Sequence, residues 1–283
     1  MLLLHLLSRL PLRALYLLTP AAYLAIYCMK GYRKTVVREN LARAFPERNG
    51  KELTVLEKKY YRQLIDVFVE ILRARYMPAA EFSRRVQVAN PQLLAAASDN
   101  FSRPLLVLTS HQGNWEWMLH GAGLAAGHSL DPVYKPLHQR WADVFMREVR
   151  GRFGSRPVAL GDIGSDMLRR RRAPRPLVMV ADQAPVPAER SYTTTFFGRR
   201  TSFHRAPAAL AKLAQMPVLY AACKRRRRGH YTITFEMLAA DPATIGEDEL
   251  VERYARAAER AILAEPESWL WSNRRWKRET PDT

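Results

Sequence analysis

The sequence predicts an α/β domain in which helices flank a largely parallel mixed sheet, preceded by a hydrophobic N-terminal helix that anchors the protein to a membrane. Short apolar runs without alternation are typical of strands buried on both faces, and helical segments of about 10–15 residues separate them. The chain of 283 residues, 48% of them hydrophobic, is long enough for one large core and excludes intrinsic disorder. Its two cysteines exclude a disulfide scaffold and make no metal-ligand spacing.

The first element, residues 1–30, is predicted to be a membrane anchor. The stretch from Ala14 to Met29 carries no charge, but it is shorter than the roughly 20 apolar residues of a spanning helix, and Pro11 and Pro20 interrupt the segment. We therefore expect a helix that lies in or dips into the cytoplasmic leaflet, with the basic flank on anionic headgroups and the following domain in the cytoplasm. The flank consists of Lys30, Arg33 and Lys34. The alternatives are a cleaved signal peptide and a buried core helix.

Helical periodicity and proline positions place the helices of the remaining domain, residues 31–283. The longest amphipathic pattern runs over residues 53–77, in which Leu56, Tyr60 and Leu64 keep a helical period. Pro217 and Pro266 follow directly on two of the later helices. The predicted helices are a short one within 31–48, then 53–77, Asn114–Ala126, Gln139–Arg150, Ile163–Arg172, Arg205–Gln215 and Glu247–Ala264.

Short apolar runs between these helices place the strands. Leu105–Thr109 and Leu177–Ala181 have the unbroken apolar character of buried strands. The last two strands are joined by the basic segment Lys224–Gly229, which is typical of a hairpin. The other predicted strands are Asp131–Tyr134, Pro157–Leu160, Val218–Cys223 and Tyr231–Glu236.

The segment from Leu108 to Trp117 carries the residues best suited to catalysis. It lies where a buried strand ends and a helix begins, and active sites of open α/β sheets form at the carboxyl ends of strands. His111 and Glu116 are about 140° apart on an ideal helix, so they meet only if His111 lies in the turn, where Gly113 supplies backbone freedom. His111 would then act as a general base while Glu116 holds the imidazole in one tautomer. The alternative is an ordinary helix N-terminus with a capping histidine.

Six blocks along the chain resemble the bacterial lipid A biosynthesis (late) acyltransferases. His111-Gln-Gly-Asn-Trp-Glu116 is similar to their His-x4-Glu signature, which corresponds to the His-x4-Asp of the wider glycerolipid and lysophospholipid acyltransferases. The C-terminal block usually has histidine before its two arginines, and this chain has Asn273 there. The remaining blocks are Tyr32-Arg33 with Asn40-Leu41 and Phe45-Pro46, Arg147–Gly154 with Arg150, Asp182-Gln183, Phe196-Phe197-Gly198 and Trp269–Lys277.

The resemblance implies a glycerolipid acyltransferase-like fold and transfer of a fatty acyl chain from acyl carrier protein, or acyl-CoA, to a hydroxyl of a lipid A precursor. It implies neither a metal nor an organic cofactor. His111 and Glu116 would be the catalytic residues. The residues that the resemblance assigns to substrate binding are Asn114, Arg150 (with Arg152 as the alternative), Asp182, Arg274 and Arg275. The enzyme would work on the cytoplasmic face of the inner membrane.

The charge distribution agrees with anionic partners. The net charge is +18, and the segment from Arg190 to Phe235 contains ten Lys or Arg residues without Asp or Glu. Acyl carrier protein is acidic and a lipid A precursor carries phosphates, so both suit arginine forks. The basic runs Arg169–Arg172 and Arg225–Arg228 are predicted to be solvated or to face headgroups, and Trp269, Trp271 and Trp276 to be core residues or interface anchors.

Two other functions remain open from the sequence. The same chemistry could serve another acceptor, such as a lysophospholipid, an aminolipid or a glycolipid, and His111 and Glu116 do not separate these cases. A membrane-tethered protein that binds nucleic acid without catalysis would also suit the charge. No recognised nucleic-acid motif is present, so nucleic acid is not among the expected partners.

Overall fold

The protein is described by a computed structural model over residues 2–29, 31–186 and 189–276. Lys30 of the basic flank and Lys277 of the C-terminal block lie outside these residues. The helices are α1 Leu2–Arg9, α2 Leu12–Tyr23 with a π-helical turn Leu24–Met29, α3 Lys34–Ala44, α4 Gly50–Ala74, α5 Ala79–Arg85, α6 Gln92–Ala97, α7 Trp115–Ala126, α8 Arg140–Arg150, α9 Ile163–Arg169, α10 Ala206–Leu213 and α11 Glu247–Ala264. The strands are β1 Val86–Val88, β2 Leu106–Thr109, β3 Asp131–Tyr134, β4 Val158–Ala159, β5 Leu177–Val180, β6 Ser191–Phe196, β7 Arg199–His204, β8 Val218–Arg227 and β9 His230–Ala239.

Within the described residues, seven strands form one mixed sheet in the order β1-β9-β8-β2-β5-β3-β4. Strands β8, β2, β5, β3 and β4 run parallel, β8 and β9 pair antiparallel, and β1 is parallel to β9. Strands β6 and β7 form a separate antiparallel hairpin. The α/β class, the largely parallel sheet and the C-terminal hairpin predicted from the sequence are thereby confirmed.

The central strand β2 shows why the sheet is buried on both faces. Leu106 and Leu108 belong to the apolar cluster that contains α3, α10 and α11 residues, whereas Val107 belongs to the cluster that contains α4, α5 and α7 residues. Successive side chains of a strand point to opposite faces, so an unbroken apolar run is needed when helices cover both.

The longest helix, α4, begins with a capping box that the sequence analysis did not identify. The Asn49 side chain accepts hydrogen bonds from the Lys51 and Glu52 backbone, and the Glu52 side chain accepts one from the Asn49 backbone. This arrangement satisfies donors that a helix start leaves without partners. The helix therefore begins three residues before the predicted residue 53.

The N-terminal helices pack on α4 with one face and expose the other. Leu12 and Leu15 are buried in the same cluster as Val67. Leu17 is 81% exposed and Met29 is 78% exposed, on the 18-residue apolar helical stretch Leu12–Met29 with mean hydropathy 1.4. A helix with one packed and one open apolar face suits a position in the membrane interface.

Candidate active site

Strand pairing brings two polar residues together at the carboxyl edge of the sheet, which we call the catalytic edge. In the register of β2 and β5, Thr109 pairs with Val180. His111 and Asp182 each follow two residues after these partners, so neighbouring parallel strands deliver them to the same place. This position agrees with the general location of active sites in open α/β sheets.

His111 and Asp182 form a close pair. The His111 Nδ1 atom lies 2.6 Å from Asp182 Oδ1, and the His111 backbone N–H donates to Asp182 Oδ2 at 2.8 Å. The imidazole also packs edge-on against Trp115, with ring centroids 5.1 Å apart. A carboxylate can only accept, so Nδ1 carries a proton, and in the neutral imidazole Nε2 then keeps its lone pair. Within the described residues, Nε2 has no hydrogen-bond partner.

Asp182 is held in its charged form. Burial raises its pKa, but the electrostatic interaction with His111 and hydrogen bonds from His111 and Trp269 outweigh this effect, and the pKa of Asp182 is lowered. Trp269 Nε1 donates to Asp182 Oδ2 at 2.6 Å. Three donors therefore fix a carboxylate that is only 2% exposed. Trp269, which the sequence left undecided between core and interface, is buried and holds this carboxylate.

The turn that carries His111 is fixed by the C-terminal segment. Leu270 N–H donates to the His111 carbonyl, and Gly113 N–H donates to the Ser268 carbonyl, both at 3.0 Å. Gly113 has φ +59°, and a Cβ there would lie 2.4 Å from the Cys223 carbonyl oxygen. The turn therefore requires glycine both for its backbone conformation and for the close approach of β8.

Glu116 does not hold the imidazole, which corrects the predicted His–Glu pairing. Its carboxylate accepts two hydrogen bonds from Arg150, from Nε at 2.8 Å and from Nη2 at 2.5 Å. Burial raises the pKa of Glu116, but the charge and hydrogen bonds of Arg150 dominate and lower it. Glu116 lies on the first turn of α7 and is paired with Arg150, while the carboxylate bound to His111 is that of Asp182, two residues after β5.

Arg150 is correspondingly engaged by protein groups. Its side chain is 18% exposed, it pairs bidentately with Glu116, and its guanidinium lies 5.7 Å from the Tyr134 ring centroid. Tyr134 ends β3, so Arg150 borders the catalytic edge. The alternative in the same block, Arg152, donates instead to the Ala74 carbonyl at the C-terminus of α4 and to the Met77 carbonyl just beyond it.

Asn114 is fully buried, and its assignment to substrate binding stays a prediction. Its Oδ1 accepts from Trp117 N–H and caps α7, and its Nδ2 donates to Glu70 Oε2 at 2.8 Å. Glu70, which is also buried, accepts from Tyr16 at 2.6 Å and from Tyr231 at 2.7 Å. Burial raises the pKa of Glu70, opposed by these three hydrogen bonds. These hydrogen bonds around Glu70 connect the N-terminal helix α2 to the turn that carries His111.

The two C-terminal arginines lie in different environments. Arg275 is 2% exposed, donates to the Ser202 carbonyl and stacks 4.3 Å from the Phe203 ring centroid. Its burial lowers its pKa to about 10. Arg275 therefore supports the β6–β7 hairpin, and its assignment to substrate binding stays a prediction. Arg274 is exposed, and its assignment to substrate binding stays a prediction.

Aromatic side chains fill the space beneath Asp182. The turn of the β6–β7 hairpin, Phe197-Gly198, has two positive φ values, as two-residue hairpin turns require. Phe196 and Phe197 pack against Trp269, which holds Asp182. The tryptophans of the C-terminal block are thus core residues. They are Trp269, Trp271 and Trp276, all buried.

The basic run Arg225–Arg228 is only partly a solvated surface. Arg225 and Arg228 both form ion pairs with the buried carboxylate of Asp66, at 2.6 Å and 2.5 Å. Arg228 also lies 4.0 Å from the Tyr16 ring centroid. These two arginines fasten the hairpin to α4 and α2, while Arg226 and Arg227 are exposed. The prediction was wrong for Arg225, whose side chain is 12% exposed.

A family model described as bacterial lipid A biosynthesis acyltransferase matches residues 1–278. The chain belongs to this family. It is therefore an acyltransferase of lipid A biosynthesis. A comparison with curated proteins finds no match. The match spans both the apolar N-terminal helix and the catalytic edge, so the resemblance inferred from the six sequence blocks is confirmed.

Among the described residues, no three His, Cys, Asp or Glu side chains come close enough together to ligate a metal ion. The acidic groups near the edge are each bound to protein donors: Asp182 to His111 and Trp269, and Glu116 to Arg150.

Proposed function

We propose that this acyltransferase moves a fatty acyl chain from a thioester donor, acyl carrier protein or acyl-CoA, to a hydroxyl of a lipid A precursor, with His111 as the general base oriented by Asp182. The observation that carries the proposal is the His111–Asp182 pair at the catalytic edge, within a chain of this family. Glu116 has a different role from the one expected: it positions Arg150.

The mechanism follows from the protonation states. His111 Nε2 takes the proton of the acceptor hydroxyl as that oxygen attacks the thioester carbonyl carbon. The new carbon–oxygen bond forms, the carbon–sulfur bond breaks, and the thiolate leaves with the proton from the imidazolium. Asp182 keeps the ring in the Nδ1–H tautomer and stabilises its charged form during the transfer. General bases of this kind contribute about 10² to 10⁴ in rate.

The electrostatics of the edge support anionic substrates. Arg150 borders the site, and its charge is stabilised because Glu116 raises its pKa against the opposing effect of burial. A partly exposed arginine beside the base suits a phosphate of the acceptor or the developing charge of the thioester oxygen. Exposed Arg274 is a second candidate for such a contact.

We further propose that the enzyme works at the cytoplasmic face of the inner membrane. The apolar stretch Leu12–Met29 with its exposed leucines supports attachment, and the adjacent cations Arg33 and Lys34 support the cytoplasmic side. We propose residues 1–30 as the attaching segment and 31–283 as the acyltransferase domain.

Mass spectrometry of lipid A from host cells tests the reaction directly. The gene is deleted and then complemented with wild type, with His111→Ala or with Asp182→Ala. We expect loss of one acyl mass on deletion, restored by the wild type and by neither variant. An unchanged lipid A profile would overturn the proposed acceptor. The remaining lipid extract would then show whether a lysophospholipid, aminolipid or glycolipid is acylated.

A further inference from the structure

The surface formed by the β3–α8 loop and the outer side of α8 departs from the usual pattern of an amphipathic helix. Phe145 and Val149 are buried, as expected for the inner side. The outer side nevertheless exposes Trp141 (49%) and Val144 (38%), and the preceding loop exposes Leu137 (44%). We call these three residues, with Lys135, Arg140 and Arg147 around them, the α8 face.

The charges of the α8 face are those of a membrane-binding surface. Lys135, Arg140 and Arg147 are exposed and have no acidic partner within the described residues. The acid on this side of the helix, Glu148, is paired with Arg75 at 2.6 Å. The Asp143 carboxylate accepts a hydrogen bond from the Leu137 backbone N–H at 2.9 Å, which fixes the β3–α8 loop. An exposed tryptophan and aliphatic residues ringed by cations match an anionic lipid interface.

The topology places the catalytic site between this face and the N-terminal helix. Across the catalytic edge the order is β8, β2, β5, β3. The tip of the β8–β9 hairpin touches the N-terminal helix through Arg228 and Tyr16, and the α8 face begins directly after β3. His111 and Asp182 follow the two strands between them. A flat bilayer that meets both flanking elements therefore also covers the catalytic edge.

A contact at the end of α4 connects both flanking elements to the same helix. Arg75, at the end of α4, contacts His5 of α1 at 2.7 Å and Glu148 of α8 at 2.6 Å. Its guanidinium also lies 5.7 Å from the Phe145 ring centroid. The N-terminal helices and α8 are thus fastened to the same end of α4, which fixes the orientation of one relative to the other.

We propose that the α8 face inserts into the interface of an anionic bilayer as a second docking surface, so that the lipid acceptor enters the site laterally between α8 and the N-terminal helix. The lateral entry rests on the proposed function, whereas lipid contact by Trp141 does not. The exposed apolar residues supply burial in the interface, and the three cations supply attraction to phosphate headgroups.

Fluorescence quenching tests the lipid contact without any activity. The full chain is reconstituted in vesicles of phosphatidylethanolamine and phosphatidylglycerol with brominated acyl chains. Trp141 is the tryptophan with the greatest exposure in the described residues, and Trp117, Trp269, Trp271 and Trp276 are buried. We expect bromine to quench the wild type more than the Trp141→Phe variant, with bound fractions equal because the N-terminal helix remains. Equal fractional quenching of both proteins would overturn the proposal.

Activity on acceptor embedded in vesicles and on acceptor dispersed in detergent tests the proposed lateral entry. We expect Leu137→Ser with Trp141→Ser to lower kcat/KM about tenfold for acceptor embedded in vesicles and less than about twofold for acceptor dispersed in detergent. Leu213→Ser is the matched control, since Leu213 is 86% exposed on α10 away from this edge, and it should change neither rate. An increased KM for acyl carrier protein in both forms would identify a protein-docking face and overturn the proposal. If the wild type acylates no lipid A precursor while Trp141 is still quenched, the proposed function fails and the docking surface stands.

Discussion

At the scale of single residues, Asp182 is the group whose replacement should be most informative. Its two oxygens face three donors, two from His111 and one from Trp269, and an asparagine amide offers only one accepting oxygen. Asp182→Asn should therefore lower kcat by about 10² to 10⁴ and change KM little, because the imidazole loses its charged partner while the substrate contacts remain. Steady-state kinetics of the purified enzyme measure this split.

The matched variant is Glu116→Gln, which removes the other buried carboxylate of the edge. It leaves the His111–Asp182 pair intact but deprives Arg150 of its charged partner, so its effect on kcat should be smaller than that of Asp182→Asn. Normal turnover of Asp182→Asn together with an inactive Glu116→Gln enzyme would restore Glu116 as the orienting group and contradict the pairing described above.

The lowered pKa of Glu116 predicts how stability depends on pH. A carboxyl whose pKa is lower in the folded than in the unfolded protein stabilises the fold above its unfolded pKa, and this contribution is lost as the pH falls through the folded value. The free energy of unfolding of Glu116→Gln should therefore be below that of the wild type at pH 7. This difference in the free energy of unfolding should become smaller as the pH falls below about 4. Denaturant titrations at several pH values measure it, and a gap independent of pH would exclude the ion pair as its cause.

The identity of the histidine's partner could not be predicted from the sequence. Glu116 lies five residues from His111 and Asp182 lies 71 residues away, so local spacing favours the wrong carboxylate. What decides is that β5 lies beside β2 in register, and strand order is a property of the whole sheet. The same reason hides Trp269, which reaches Asp182 only because the C-terminal segment pairs with the catalytic turn.

At the scale of elements, the N-terminal helix α2 belongs to the packing of the catalytic domain. Leu15 is 1% exposed among α4 and α7 residues, whereas Leu17, two positions further, is 81% exposed. Leu15→Ala should lower the free energy of unfolding by about 2–5 kcal/mol, since it leaves a cavity in the core. Chemical denaturation in detergent measures this change.

Leu17→Ala is the control for that experiment, because both substitutions remove the same side chain from the same helix. It should change stability by less than about 0.5 kcal/mol and weaken attachment to vesicles instead. Equal stability losses for the two variants would show that the buried face of α2 does not pack as described.

Elements with a long, regular pattern were predictable, and short or isolated ones were not. The alternation of strands with helices such as α7 and α11 follows from apolar periodicity alone. Strand β1 has three residues, too few for any pattern, and depends on pairing with β9. The β6–β7 hairpin had a signal in its threonine run and in Gly198, but Phe196-Phe197-Gly198 was interpreted only as one block of the resemblance and not as a turn.

At the scale of the whole molecule, the positive charge is divided between structural and exposed groups. The basic runs Arg169–Arg172 and Arg225–Arg228 lie at opposite edges of the sheet. The first precedes the start of β5, whereas the second lies at the end of β8, in the β8–β9 hairpin. The β8–β9 hairpin lies at the catalytic edge against the N-terminal helix, so we expect this run to approach headgroups, whereas Arg171 and Arg172 are exposed at the opposite edge.

Neutralising the exposed and the buried arginines of the β8–β9 hairpin in separate variants should distinguish binding to headgroups from stabilisation of the fold. Arg226 and Arg227 are exposed, so replacing both with serine should weaken binding to anionic vesicles. The difference from wild type should disappear at high salt, where the charges are screened, and thermal stability should be unchanged. Arg225→Ser should instead lower the melting temperature at every salt concentration, because it removes a largely buried partner of Asp66. Vesicle sedimentation across a salt series and thermal unfolding of the same samples measure both effects. A salt-independent loss of binding in the Arg226 and Arg227 variant would show that the hairpin does not meet the headgroups.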